Sequence, residues 1–103
     1  MSKRLAFLEK LTVDGSTDPF AWYGLALEYR NLERWDDALR TFEALRTKWP
    51  DYVPTYLMAA QMLEQRSRAE DARAWAEAGI AAATKKGDAH ALSELQTLLA
   101  TLS

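Results

Sequence analysis

At 103 residues, with 49% hydrophobic and 27% charged side chains and only four Gly and three Pro, the chain has the balance of one folded domain, not of a disordered segment. Thirteen Lys and Arg stand against fifteen Asp and Glu, interspersed along the chain, and the net charge of −2 excludes the basic footprint of a nucleic-acid or anionic-membrane binder. The absence of Cys excludes disulfide frameworks, thiolate metal sites and thiol nucleophiles.

The first predicted helix covers residues 2–13. Leu5, Leu8 and Leu11, with Phe7 and Val13, give it an apolar face, and Asp14-Gly15 ends it. Glu9 and Lys10 interrupt the apolar stretch after the basic start, so no signal-peptide core is expected. No run approaches the roughly 20 apolar residues of a membrane span. A cytoplasmic protein without membrane contact is the expectation.

Asp18-Pro19 marks the next helix start: the carboxylate caps free N–H groups, and proline in the first turn loses no hydrogen bond there. Trp22, Leu25, Ala26 and Tyr29 then fall at spacings of three, four and seven, on one helix face. After a polar break, Ala38, Phe42 and Leu45 form the stripe of a second helix, and Pro50 closes the unit.

The pattern then recurs. Residues 19–52 and 53–86 align without a gap at a 34-residue period. Pro54 opens the second copy, Tyr56, Ala59, Ala60 and Leu63 repeat the first stripe, and Ala72, Ala76 and Gly79 repeat the second. Asp36-Asp37 and Glu70-Asp71 fall at corresponding helix starts, where carboxylates favour the positive end of the helix dipole. Adjacent helical residues point about 100° apart, and no His or Lys accompanies these pairs, so capping is expected of them and not acid–base catalysis.

Lys85-Lys86-Gly87-Asp88 supplies a basic last turn, a stop and a start for a final predicted helix over 88–102, rich in Leu at 92, 95, 98, 99 and 102. A stacked array of helix pairs leaves an apolar face at each end, and the two flanking helices are expected to cover those faces.

Trp22, Leu25, Tyr29, Ala38, Phe42 and Pro50 together resemble the tetratricopeptide repeat, whose signature runs W-x2-L-G-x2-Y, then A-x3-F, then P. Ala26 stands where that signature has Gly. The second copy is a looser match, with Ala76, Gly79 and Thr84 in place of Phe, Ala and Pro. The resemblance implies an all-α fold, a right-handed α-α superhelix or solenoid of about six antiparallel helices, in a single domain over 1–103. It also implies a concave groove lined by the first helix of each pair.

By that resemblance the groove residues of the first copy are Phe20, Tyr23, Gly24, Leu27, Arg30 and Asn31. The second copy adds Pro54, Leu57, Met58, Gln61, Glu64 and Gln65. Such a face suits a peptide or helical segment of another protein, with Arg30 available to a carboxylate or carbonyl. Tyr23 and Leu27 occupy the places of the first Lys and Asn of the family's carboxylate clamp, so no such clamp is expected.

Among the remaining aromatics, Trp35 is assigned to the seam between repeats, and Trp75 is the interface candidate. With Leu98 and Leu102 of the final helix it defines an alternative, a surface for a second copy in a self-assembling scaffold or homodimer. The lone His90 has no Cys or second His near it in sequence, and the four Gly are isolated. No metal site, catalytic triad, phosphate loop or cofactor is therefore expected. The chain reads as a non-catalytic protein-interaction module, with regulation of an enzyme a less favoured role.

Overall fold

The computed structural model describes residues 3–15 and 18–102, which hold six α-helices and no strand. The chain divides into two compact units, Met1–Trp49 and Pro50–Ser103.

The first unit holds α1 (Lys3–Val13), α2 (Pro19–Asn31) and α3 (Trp35–Lys48). Ser2, expected within the first helix, lies outside the described residues. Leu5 and Leu8 of α1 are buried with Leu25 of α2, and Leu11 and Tyr29 pack on this cluster. The Tyr29 hydroxyl donates to Glu9 Oε2 at 2.5 Å, tying the helices at the polar edge of the same seam. Burial, with that hydrogen bond and the Glu9 charge, pushes the Tyr29 phenol up to about 12.

The α2 helix starts as the sequence dictates, with Asp18 Oδ1 accepting the Phe20 N–H at 2.9 Å and Pro19 in the first turn. It ends in a left-handed turn, in which Glu33 has φ 61° and the Arg34 N–H donates back to the Tyr29 carbonyl at 2.9 Å. This six-to-one bond satisfies a carbonyl that the helix end would otherwise orphan. α3 then packs back on α2, and Ala26, Ala38, Phe42 and Leu45 are wholly buried.

At the start of α3, Arg34 Nε donates to Asp37 Oδ2 at 2.8 Å, and Arg40 reaches the other oxygen. Burial alone would raise the Asp37 pKa, but the hydrogen bonds and charges of Arg34 and Arg40 outweigh it and hold the carboxyl below its ordinary range.

The second unit holds α4 (Pro54–Gln65), α5 (Ala69–Lys86) and α6 (Ala89–Thr101). Unit and repeat boundaries differ by three residues, and the contacts explain why. The Trp49 ring lies 6.4 Å from that of Trp22 in the first unit. Pro50 instead offers its carbonyl to the Tyr56 hydroxyl at 2.6 Å, and Asp51 pairs with Lys85 at 3.6 Å. The residues after Trp49 thus fold with the second copy.

The proline start recurs without its cap. Val53 precedes Pro54 in helical conformation and supplies no side-chain bond. The turn between α4 and α5, however, copies its counterpart: Ser67 has φ 61°, the Arg68 N–H donates to the Leu63 carbonyl, and Arg68 Nε holds Asp71 at 2.9 Å. α5 ends on Gly87 in the left-handed region, as its sequence predicts, and Asp88 caps α6 through the Ala91 N–H at 3.1 Å.

Candidate protein-binding site

On α2 the residues that the resemblance assigns to the groove, Phe20, Tyr23, Gly24, Leu27, Arg30 and Asn31, fall at positions 20, 23/24, 27 and 30/31 and so share one side of the helix. Phe20 is 68% exposed. Tyr23, Leu27 and Arg30 are half-buried, and Asn31 is exposed. The strip therefore runs from an exposed ring at the helix start to a guanidinium in the last turn, where Arg30 Nη2 also lies 3.4 Å from Asn31 Oδ1.

Gly24 sits at the edge of this strip. A Cβ there would meet Leu8 Cδ2 of α1 at 3.5 Å, an ordinary contact, so α1 runs beside the strip on that side.

On α4 the equivalent positions divide by depth. Pro54 and Gln65 are exposed, and Met58, Gln61 and Glu64 are half-buried. Leu57 is only 8% exposed, so its side chain belongs to the core and is not offered to a partner. Glu64 accepts a hydrogen bond from the Thr101 hydroxyl at 3.2 Å, which brings the end of α6 to the polar end of this face. Arg73 Nη2 holds the same helix end through the Leu102 carbonyl at 2.8 Å.

The alternative surface is corrected in one respect. Trp75, expected as an exposed interface residue, is 7% exposed, with its ring 6.2 Å from that of Tyr56. The absence of a side chain on Gly79 lets Tyr56 of α4 come close to α5, and the indole lies against that tyrosine in the α4–α5 seam. Leu98 and Leu102 are half-buried.

One exposed aromatic fell outside the expected sites: Phe7 on α1 is 63% exposed. The 34-residue count carried back two copies from Trp75 reaches it, and that count was the available signal.

Among the described residues no group of three or more His, Cys, Asp or Glu is placed to hold a metal ion, and His90 pairs at the surface with Glu94 at 2.7 Å. No described helix is long and apolar enough to cross a membrane.

The pattern that defines the tetratricopeptide repeat family matches residues 19–62. The solution structure of a tetratricopeptide repeat domain protein from Salinibacter ruber is 36% identical, covers 82% of this chain and 86% of its own, and superposes with a TM-score of 0.77. A crystal structure of a Salinibacter ruber tetratricopeptide repeat domain protein gives a TM-score of 0.75 at 36% identity, over 82% of this chain and 94% of that one. A protein from Bordetella parapertussis, solved in solution, is 27% identical over 99% of this chain and 89% of its own, with a TM-score of 0.82. No curated protein matches the chain.

Proposed function

Because this chain belongs to the tetratricopeptide repeat family, we propose that it is a non-catalytic adaptor that binds a peptide or helical segment of another protein through the α2 strip of Phe20, Tyr23, Leu27 and Arg30. The observation that carries this reading is the depth of those four side chains. None is buried, and the most apolar of them, Phe20, is 68% exposed.

An exposed aromatic beside half-buried Tyr and Leu offers contact area at small ordering cost, and a guanidinium two to three turns along gives direction to whatever lies on it. A ligand with an apolar anchor followed by a carboxylate or a helix C-terminus matches this order. On α4, Met58 and Gln61 continue the same kind of face within the second unit. A cytoplasmic location accompanies this reading. Self-assembly through Trp75 loses support from the burial of that ring, and its remaining candidates are Leu98 and Leu102.

Affinity capture with the wild-type chain and with two variants, Tyr23→Ser/Leu27→Ser and Arg30→Glu, tests the proposal. The specific partners identified by mass spectrometry should be lost from both variants, while circular dichroism shows both still folded. An unchanged set of partners on the two folded variants overturns it. Leu57 is left intact because replacing a buried Leu would confuse unfolding with loss of binding.

A further inference from the structure

The 34-residue count places α1 in register with α3 and α5. Arg4, Phe7 and Leu11 correspond to Ala38, Thr41 and Leu45, and then to Ala72, Trp75 and Gly79. In α3 and α5 every one of these positions is buried. In α1 the Arg4 side chain is 73% exposed, Phe7 is 63% exposed and Leu11 is half-buried.

What covers this face in α5 is visible. The Trp75 ring lies tilted against that of Tyr56, and a Cβ at Gly79 would lie 2.6 Å from the Tyr56 Cβ and 3.0 Å from Leu95 Cδ2 of α6, so this face is covered chiefly by α4, the hairpin partner of α5. Val13 serves as the control. It is 83% exposed, but its counterparts Thr47 and Ala81 are exposed too, so its exposure is ordinary for the position and that of Phe7 is not.

Charge narrows the occupant. α1 carries Lys3, Arg4 and Lys10 against a single carboxylate, Glu9, which is engaged by the Tyr29 hydroxyl. Arg4 stands where both other copies have a fully buried Ala, and its guanidinium reaches Glu28 of α2 at 3.5 Å. A helix seated over Phe7 meets a basic rim.

We propose that the Arg4–Phe7–Leu11 face of α1 is a second docking site, which receives an amphipathic helix of a partner protein in the place that α4 takes on α5. The incoming helix presents a bulky apolar residue to Phe7 and acidic residues to Lys3, Arg4 and Lys10. This face is separate from the α2 strip, and the site stands without that reading.

Fluorescence anisotropy with two labelled synthetic helices of roughly 15 residues tests it. Both carry the same Trp and Leu stripe, one flanked by glutamates and the other by lysines. The acidic helix should bind the full chain and the basic one should not. Phe7→Ser should weaken binding roughly tenfold or more, and Lys3→Glu/Lys10→Glu should transfer binding to the basic helix. Tyr23→Ser/Leu27→Ser, which probes the α2 strip, should leave this binding unchanged.

Since Lys3, Phe7 and Lys10 are exposed, the α1 variants should melt as the wild type does. Equal binding of the two helices, no effect of Phe7→Ser, or loss through the Tyr23/Leu27 variant overturns the proposal. So does concentration-dependent self-association of the wild type that Phe7→Ser abolishes, which would give the face to a second copy.

Discussion

Gly79 and Tyr56 approach so closely that a Cβ on Gly79 would lie 2.6 Å from the Tyr56 Cβ, with Leu95 Cδ2 at 3.0 Å on the other side. Three helices of the second unit meet at this one position. Alanine gains roughly 1 kcal/mol over glycine in a helix interior, but overpacking a fitted core costs about 1–3 kcal/mol, and the nearer obstacle here is another residue's Cβ, which cannot rotate away. Gly79→Ala is therefore expected to lower stability by about 1–2 kcal/mol, measured by urea denaturation. A Gly79→Ala variant as stable as the wild type would show that α4 and α6 can move apart without cost.

The two inter-helix turns give a prediction of opposite sign. Glu33 and Ser67, 34 positions apart, both adopt φ 61°. A side chain costs about 1–2 kcal/mol in this region, part of which glycine returns through its greater freedom in the unfolded chain. Glu33→Gly and Ser67→Gly should each stabilise by about 0.5–1 kcal/mol. Thermal melts of the single and double variants check this, and β-branched replacements at either position should destabilise instead.

These turns also show what periodicity leaves unread. Leu25, Ala26, Ala38, Phe42 and Leu45 are buried as their spacing requires, and so are Ala59, Ala60, Leu63, Ala72 and Ala76. Spacing fixes which side of a helix faces inward, and the hydrophobic effect does the rest. The repeat of Arg34 and Asp37 at Arg68 and Asp71, with a left-handed residue before each arginine, is equally faithful. Neither Glu nor Ser favours the left-handed region, so it takes backbone dihedrals to see these turns.

Depth was the harder quantity. Trp75 reads as an interface residue from its size, yet it is buried against Tyr56, at a position that is also buried in α3, where Thr41 holds it. At Gly79, where α3 has Leu45, Tyr56 of α4 and Leu95 of α6 close over the helix instead. The same holds for the α4 face: that Leu57 is buried and Glu64 is met by Thr101 depends on how neighbouring elements close over the helix. A 34-residue count does not encode that. On α2, Phe20 and Asn31 are exposed and Tyr23, Leu27 and Arg30 are half-buried, while Gly24 faces Leu8 of α1.

The Tyr29–Glu9 bond predicts an alkaline transition. The Tyr29 pKa rises from 10.0 to about 12, with burial the largest cause and the Glu9 carboxylate next. A raised folded-state pKa means that this stabilisation is fully present below the unfolded value and is lost as pH climbs through the folded one. Docking of α1 should therefore weaken between pH 10 and about 12. Tyr29→Phe should cost about 1 kcal/mol at neutral pH and flatten the loss of stability across that window. Tyrosine absorbance titrated alongside far-ultraviolet dichroism checks both statements, and an unchanged alkaline profile in the variant would remove Tyr29 as the cause.

Thr55 gives the last prediction. Its side chain is fully buried in the first turn of α4, and its hydroxyl has no hydrogen-bond partner among the described residues. The N-terminal position of Thr55 in the helix explains the lack of a local acceptor: the hydroxyl of a helical threonine usually turns back to a carbonyl three or four residues earlier, as Thr41 does to Asp37 at 2.8 Å and Thr84 to Ile80 at 2.7 Å. For Thr55 those positions are Asp51 and Tyr52, before the helix begins. An unsatisfied buried hydroxyl costs about 1–3 kcal/mol, whereas valine has the same shape and nothing to desolvate. Thr55→Val should raise stability by about 1 kcal/mol in urea denaturation, while Thr55→Ala, which removes the hydroxyl but opens a methyl-sized gap, should gain less or nothing. A destabilised Thr55→Val would mean that the hydroxyl is satisfied in solution.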